Sequence, residues 1–348
     1  MKEIGLKVHK KQAEIIRKNL IENNLLIKDL KIRRDEEFVY FPVKNLPRDL
    51  KYNNSIRIEF EKIRKKPTSY KEIALIPKSL KKKLPTSYDI IGNIIVIKIP
   101  KDLIKYKNKI GEALLKTNNN IQTVCYTTSI TGELRTLNPE IISGEKSTVT
   151  IHKEYDLKFF LDVGKTYFSP RLAEERRRIA NLVKSGETII DMFAGVAPFS
   201  IMIAKYAKPK IIYAVDKNKY AIIYALKNVK LNNVIDKIEI IQEDSKNICK
   251  IIDKKKVNVN RIIMNLPFSA HKFFSYALKL ISKECVIHYY AIIDELKIDD
   301  RIKELEKIAR KNKILITNHK IRKIKTYSPR EFYIGIDITA KKKDADVA

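Results

Sequence analysis

The sequence predicts an α/β protein with a carboxyl-terminal parallel sheet wound by helices, preceded by two smaller α/β (α+β) units. Two observations lead to this prediction. From about residue 151 onward, short runs rich in isoleucine and valine alternate with helical stretches, a pattern typical of a parallel sheet covered on both faces. The 348 residues also suggest two or three domains, at roughly 100–200 residues per domain.

The first unit is predicted to cover residues 1–62. An amphipathic helix near its start is followed by apolar runs at 37–42 and 55–60, which we interpret as strands. The Lys-Lys-Pro sequence at 65–67 ends the unit, because proline cannot continue a strand ladder.

The second unit is predicted to cover residues 67–150. Its clearest element is the apolar run at 87–97, a strand interrupted by a turn at Gly92-Asn93. A helix is predicted next, at 102–116.

The third unit, residues 151–348, carries the alternating pattern. Strands are predicted at 188–192, 211–216, 238–242, 261–265, 285–293, 314–325 and 332–339. Helices are predicted at 198–207, 218–232, 271–283 and 297–311, with a polar stretch at 245–256. The last two strands should form an antiparallel hairpin that closes the sheet. This is a Rossmann-like arrangement, in which ligands bind at the carboxyl ends of the strands.

The composition narrows the class of partner. Lys and Arg number 71 against 41 Asp and Glu, a formal net charge of +30, and such an excess attracts polyanions. The three cysteines are far apart and form no CxxC pair, so neither a disulfide framework nor a thiolate zinc site is predicted. A charged amino terminus and strand-sized apolar runs predict a cytoplasmic protein without a signal peptide or membrane span.

Acidic residues follow three successive predicted strands. The first strand ends at Asp191 and continues through the small-residue loop Phe193-Ala194-Gly195 to a helix that starts at Pro198. The second strand ends at Asp216, where an acid can accept hydrogen bonds from ribose hydroxyls. Asp244 follows the third, beside the expected position of an adenine amine. Each acid alone could be a turn residue or an N-cap, but three in succession around a tight loop predict a nucleoside site.

The loop lacks the G-x-G-x-x-G pattern, so it is poorly suited to a pyrophosphate. A cofactor with a ribose and a cationic centre but no phosphate fits better, and S-adenosylmethionine is such a molecule. At the end of the fourth strand, Asn265-Leu266-Pro267-Phe268 resembles the substrate-amide motif of methyltransferases that act on nucleobase nitrogens. An ordinary strand-to-loop turn is the alternative.

Together these motifs resemble the archaeal and eukaryotic tRNA (guanine-37-N1)-methyltransferase family, which is a class I, S-adenosylmethionine-dependent family. The resemblance runs over nearly the whole chain and rests on seven segments in order: 87–89, 132–135, 151–154, 167–172, 191–200, 265–267 and 327–331. One departure is Ala197, where the family usually has a second loop glycine.

The resemblance implies a mechanism. Guanine N1 carries a proton, and negative charge builds on O6 when that proton leaves. The family pattern implies Glu175 as the general base, Arg135 as the stabiliser of O6, Asn265 as the residue that fixes the base edge and Arg171 as a further cofactor contact. From composition alone, the helix around Glu175 favours an exposed, ion-paired face, and Arg135 a surface arginine.

The resemblance also implies tRNA as the partner of a protein that acts as a monomer. The first unit would contact the outer corner of the tRNA, and the other two units would hold the anticodon arm. Two alternatives stay open: a family member that also methylates a carbon of the wyosine precursor at position 37, and an exocyclic-amine RNA methyltransferase. A non-catalytic tRNA-binding protein is a third interpretation.

Overall fold

The structure, a computed structural model, describes residues 2–46, 54–63, 67, 69–128 and 138–343. The chain divides into two compact units, Met1–Thr68 and Ser69–Ala348. None of the described helices is long and apolar enough to cross a bilayer.

The first unit is a four-stranded antiparallel sheet with one helix. Its elements are β1 (Lys2–His9), α1 (Ala13–Glu22), β2 (Arg33–Arg34), β3 (Phe38–Pro42) and β4 (Ser55–Glu59), with strand order β2-β3-β1-β4. Leu6 lies opposite Phe41 and Val8 opposite Val39 across the β1–β3 pair. These side chains form a small core with Leu20 of α1, because alternate residues of a strand face the same side.

The second unit begins with a four-stranded sheet. Its elements are α2 (Tyr70–Ile73), β5 (Asp89–Ile91), β6 (Ile94–Ile97), α3 (Lys107–Thr117), β7 (Thr123–Tyr126) and β8 (Glu140–Gly144). The turn predicted at Gly92 is present, with φ +58°. A Cβ at Gly92 would also lie 2.0 Å from Thr150 Oγ1, so this turn requires glycine on both conformational and steric grounds.

A hairpin that the sequence analysis did not predict follows, formed by β9 (Val149–Glu154) and β10 (Leu157–Asp162). Its Phe159 belongs to one continuous core with Ile91 of the preceding sheet and Ile189 of the sheet that follows. Because this core is shared, the boundary predicted at residue 150 lies inside a compact unit.

The largest sheet has seven strands in the order β13-β12-β11-β14-β15-β17-β16. Its strands are β11 (Thr188–Asp191), β12 (Ile211–Asp216), β13 (Ile238–Gln242), β14 (Arg261–Met264), β15 (Glu284–Asp294), β16 (Ile314–Thr326) and β17 (Glu331–Lys342). Its helices are α4 (Ala173–Leu182), α5 (Pro198–Tyr206), α6 (Lys219–Leu231), α7 (Ile248–Lys255), α8 (Phe274–Lys279) and α9 (Ile298–Lys311). The pairs among β11 to β15 are parallel, whereas β17 and β16 are antiparallel. The predicted Rossmann-like fold and its closing hairpin are therefore confirmed.

Both faces of the centre of this sheet are buried. Consecutive residues of β11 enter two different cores, Ile189 one and Ile190 the other, and Ile263 and Ile262 of β14 do the same. The strand order reverses between β11 and β14, and such a switch point opens a crevice at the carboxyl ends of the strands.

Candidate active site

A cavity of about 680 Å³ lies at this switch point, a size suited to a small-molecule ligand. Its walls come from the ends of β11, β12, β13 and β14, from the start of the segment leading to α4 and from the β16–β17 turn. Of the predicted site residues, it brings together Phe193, Ala194, Gly195, Asp216, Asp244 and Asn265.

The loop after β11 is held in place by its neighbours. Ala194 N donates to the carbonyl of Val215 at 2.9 Å, and Gly195 N donates to Asp216 Oδ2 at 2.7 Å. Gly195 has φ +56°, and a Cβ there would meet only Tyr167 O at 3.6 Å, so conformation rather than space favours glycine. Ala197 adopts the same left-handed region at φ +64°, which alanine tolerates poorly.

Asp216 ends β12 and fixes two turns at once. Its Oδ2 accepts from Gly195 N, and its Oδ1 accepts from Asn218 N at 2.8 Å. A carboxylate oxygen has more than one lone pair, so the same group can also accept hydrogen bonds from a ligand in the cavity.

Asp244 lies after the end of β13, where its side chain accepts from Lys246 N at 2.9 Å. The next residue, Ser245, donates its hydroxyl to the carbonyl of Met192. This bond ties the third strand end to the loop after β11, so both sides of the cavity keep a fixed separation.

Asp191 does not line the cavity. Its side chain is 1% exposed and lies beneath the loop, where Ser200 Oγ donates to Oδ2 at 2.8 Å. Oδ1 has no hydrogen-bond partner within the described part of the chain. Burial raises the pKa of this carboxyl from 3.8 to about 7, although the Ser200 hydrogen bond opposes the shift.

Asn265 follows the end of β14 and reaches the cavity. The hydroxyl of Tyr333, on β17, donates to Asn265 Oδ1. The loop behind Asn265 is short and closed, since the carbonyl of Leu266 accepts from Ser269 N at 2.9 Å and Ala270 N at 2.7 Å. The side chain is thus presented on a rigid segment.

Glu175 lies in α4 and does not line the cavity, although the next residue, Arg176, does. Its carboxylate is paired with Arg178, through hydrogen bonds of 2.8 and 2.7 Å, and accepts from the hydroxyl of Tyr290 at 2.8 Å. The ion pairing that composition favours is present, but the residue is buried, with 5% exposure, because α4 packs against the sheet through this face.

The Glu175–Arg178 pair continues into a buried polar network. Arg178 Nη1 donates to Asp337 Oδ2 at 2.7 Å, and Asp337 Oδ1 lies 2.6 Å from His288 Nδ1. Arg261 Nη1 lies 2.7 Å from His288 Nε2, and since a guanidinium only donates, Nε2 must be the acceptor. His288 is therefore neutral with its proton on Nδ1, in agreement with the lowering of its pKa by burial.

One further predicted residue, Arg171, pairs with another part of the chain. Arg171 Nε donates to Asp89 Oδ1 at 2.5 Å, on the exposed side of the chain, and it does not line the cavity. Arg135 lies outside the described residues.

The structure adds aromatic and basic residues to the site. Phe268 and Tyr327, both about half exposed, meet edge to face at a centroid distance of 5.7 Å on the cavity wall. Both residues belong to motifs of the sequence, but their contact joins two loops that are far apart in the chain, so no local pattern predicts it. Tyr167, Lys217, Lys246 and Lys272 also line the cavity. The described residues contain no cluster of acidic, histidine and cysteine side chains suited to a metal ion.

Comparisons with known proteins assign the chain to a family. Models of the TRM5/TYW2 methyltransferase domain, the TYW2 N-terminal domain and the tRNA methyltransferase 5 N-terminal domain match residues 150–317, 72–148 and 5–51. A tRNA (guanine(37)-N(1))-methyltransferase Trm5b from Pyrococcus abyssi (strain GE5 / Orsay) is 40% identical over 339 residues, which are 96% of this chain and 98% of that protein.

Comparison with solved structures indicates the same family. A complex of aTrm5 with tRNALeu has a TM-score of 0.79 and 38% identity, covering 98% of this chain and all of that one. A TYW2 from M. jannaschii in complex with AdoMet has a TM-score of 0.56 and 29% identity, covering 74% of this chain and all of that one. The chain is therefore a member of the TRM5/TYW2 family of methyltransferases.

Proposed function

We propose that the protein transfers a methyl group from S-adenosylmethionine to N1 of guanosine 37 in tRNA. The observation that carries this proposal is that one cavity is lined both by two carboxylates suited to a nucleoside, Asp216 and Asp244, and by the amide of Asn265. A cofactor and a target base can meet in such a space. The relatives with this activity in their names match the chain along nearly its whole length.

The cavity residues fit S-adenosylmethionine. Asp216 suits the ribose hydroxyls, Asp244 an adenine amine, and the backbone of 193–195 the remaining length of the molecule. The cavity offers no glycine-rich run of amides for a pyrophosphate, which disfavours dinucleotides. When bound, the cofactor supplies an electrophilic methyl group on a sulfonium.

The target base would enter on the side of Asn265. Phe268 and Tyr327 offer exposed ring faces on which a flipped base stacks, a contact worth about 1–3 kcal/mol per base. The guanine must lose its N1 proton, and the negative charge that then builds on O6 must be stabilised. On the family pattern we assign proton removal to Glu175 and O6 stabilisation to Arg135.

Glu175 reaches this role only if its pairing with Arg178 opens when RNA binds, because its carboxylate is now engaged by Arg178 and Tyr290. Catalytic hydrogen bonds commonly form only in the substrate complex. In this proposal, α4 holds the general base Glu175 in an ion pair, and RNA binding frees its carboxylate to accept the N1 proton.

The tRNA partner accords with the net charge of +30. We assign the outer corner of the tRNA to residues 1–62 and the anticodon arm to residues 67–150 and 151–348. The protein would act as a monomer. Basic runs at 81–83, 254–256 and 341–343 are candidate phosphate contacts, although Lys83 and Lys255 are already paired with Asp102 and Glu239.

Methyl transfer from labelled S-adenosylmethionine to a guanosine-37 transcript tests the proposal, with nucleoside mapping of the product. Label in 1-methylguanosine that is lost when guanosine 37 is changed to adenosine supports it. Label in N2-methylguanosine, or transfer only to tRNA carrying the wyosine precursor, contradicts it in favour of the two alternative methyltransferases. The Trm5-type N-terminal domain at 5–51 favours the first outcome.

A further inference from the structure

The hydroxyl of Tyr333 holds one end of the Asn265 amide. It donates to Asn265 Oδ1, and Tyr333 itself is 1% exposed. The other end of the amide, Nδ2, donates to none of the residues that the structure describes, and the side chain lines the cavity.

Tyr333 is itself held firmly. It lies opposite Ile292 in the antiparallel pair of β17 with β15, and its ring packs against the ring of Tyr290 at 5.9 Å. Because a strand paired on both sides sets the position of the hydroxyl, the carbonyl end of Asn265 has a fixed partner. An amide has one acceptor oxygen and one donor nitrogen, so fixing the oxygen on Tyr333 leaves the nitrogen for the cavity.

We propose that Tyr333 is a positioning residue that makes Asn265 present a hydrogen-bond donor, rather than an acceptor, to the target base. This inference rests on the proposed function. A donor suits guanine O6, which gains negative charge as the N1 proton leaves, whereas methylation of an exocyclic amine calls for an acceptor beside the amine hydrogens. The Tyr333–Asn265 contact thereby favours methylation of the ring nitrogen N1 over methylation of the exocyclic amine.

The test is Tyr333→Phe, which removes only the hydroxyl. Single-turnover methylation is measured on a guanosine-37 transcript and on the same transcript with 6-thioguanosine at position 37. The variant should lose about 10-fold in rate on guanosine, the scale of one hydrogen bond, with unchanged dissociation constants for tRNA and S-adenosylmethionine. On 6-thioguanosine the ratio of wild-type to variant rates should fall toward one, because sulfur accepts hydrogen bonds weakly.

Tyr289→Phe is the matched control. Tyr289 is equally buried on β15, but it packs in the core on the other face of the sheet and its hydroxyl accepts from Arg301 Nη1 at 3.3 Å. This variant should keep the wild-type rate on both transcripts.

A Tyr333→Phe rate equal to wild type, or an equal loss on both transcripts, overturns the inference while the proposed function stands. If Tyr333→Phe does not fold, Asn265→Asp and Asn265→Ala decide: a carboxylate repels the charge on O6, so Asn265→Asp should be the slower of the two, and the reverse order overturns the inference. A wild-type protein that leaves guanosine 37 unmethylated defeats the proposed function, and this inference with it.

Discussion

Arg176 and Glu154 form a buried ion pair that joins helix α4 to the hairpin β9–β10. Arg176 Nε donates to Glu154 Oε1 at 2.8 Å, its Nη2 donates to Oε2, and the side chains are 1% and 3% exposed. Arg176 Nη2 also donates to the carbonyl of Ser169 at 3.1 Å, and the guanidinium lies 5.1 Å from the ring centre of Phe168. All three of Arg176, Ser169 and Phe168 line the cavity, so this pair supports one of its walls.

Replacing Glu154 with Gln should therefore destabilise the protein. Removing one charge of a buried pair leaves the other without compensation, which costs about 3–5 kcal/mol. Urea unfolding followed by circular dichroism measures the change. Glu306→Gln is the control, because its partner Arg310 is largely exposed and such pairs contribute little. Equal midpoints for wild type and Glu154→Gln would contradict the prediction.

The contribution of Asp191 to the stability of the protein should fall as the pH rises from about 4 to 7. Its folded pKa is raised to about 7 from 3.8, so between these values the folded state binds more protons than the unfolded state. A shift of about three units corresponds to about 4 kcal/mol, lost progressively as the pH rises through that window and constant above it.

Asp191→Asn removes this titration. When both proteins are measured at pH 5 and at pH 8, the free energy of unfolding of the wild type should decrease relative to that of the variant. An identical pH dependence in the two proteins would show that Asp191 ionises in the folded state as it does in water.

Local patterns were enough to predict the parallel strands and the residues that follow them. Asp216, Asp244 and Asn265 each lie at the end of a short apolar run, and parallel strands bring their carboxyl ends together. The strands β1 and β9 were not predicted, because charged residues interrupt their apolar alternation. Their pairing partners, rather than their own sequences, make them strands.

The surroundings of Glu175 could not be predicted for a different reason. Its partner Tyr290 is 115 residues away in the chain, and Asp337 is 159 residues from Arg178. The sequence of α4 does not indicate that this face of the helix meets polar side chains of the sheet. Likewise Asp191 ends a strand as predicted, but every residue of β11 is buried, so its carboxylate lies under the loop.

Ala197→Gly should be much better tolerated than glycine at an ordinary buried alanine. Ala197 has φ +64°, a conformation that costs an L-residue roughly 1–2 kcal/mol and glycine nothing. Both Ala197 and Ala225, in the middle of α6, are almost fully buried, so each loses a methyl group worth about 0.8 kcal/mol. Ala225→Gly has a further helix penalty of about 1 kcal/mol.

The two variants should therefore differ by about 2–3 kcal/mol in free energy of unfolding, with Ala197→Gly near wild type. Chemical denaturation of both proteins in one buffer checks this. A cost at Ala197 as large as that at Ala225 would show that the left-handed turn is not strained.

Glu175→Gln separates a catalytic role for Glu175 from a purely architectural one. If Glu175 removes the N1 proton, the single-turnover rate should fall by about 10²–10⁴-fold at pH 7, while the dissociation constants for tRNA and S-adenosylmethionine stay unchanged. Glutamine keeps the size of the side chain and can still accept from the Tyr290 hydroxyl, and Arg178 keeps its ion pair with Asp337, so the variant should retain its fold.

The neighbouring Glu174 provides the control, since it is exposed on the same helix and Glu174→Gln should keep the wild-type rate. Full activity in Glu175→Gln, or a rate loss that disappears when the comparison is made at equal folded fraction, would assign Glu175 to the Arg178–Asp337 network alone.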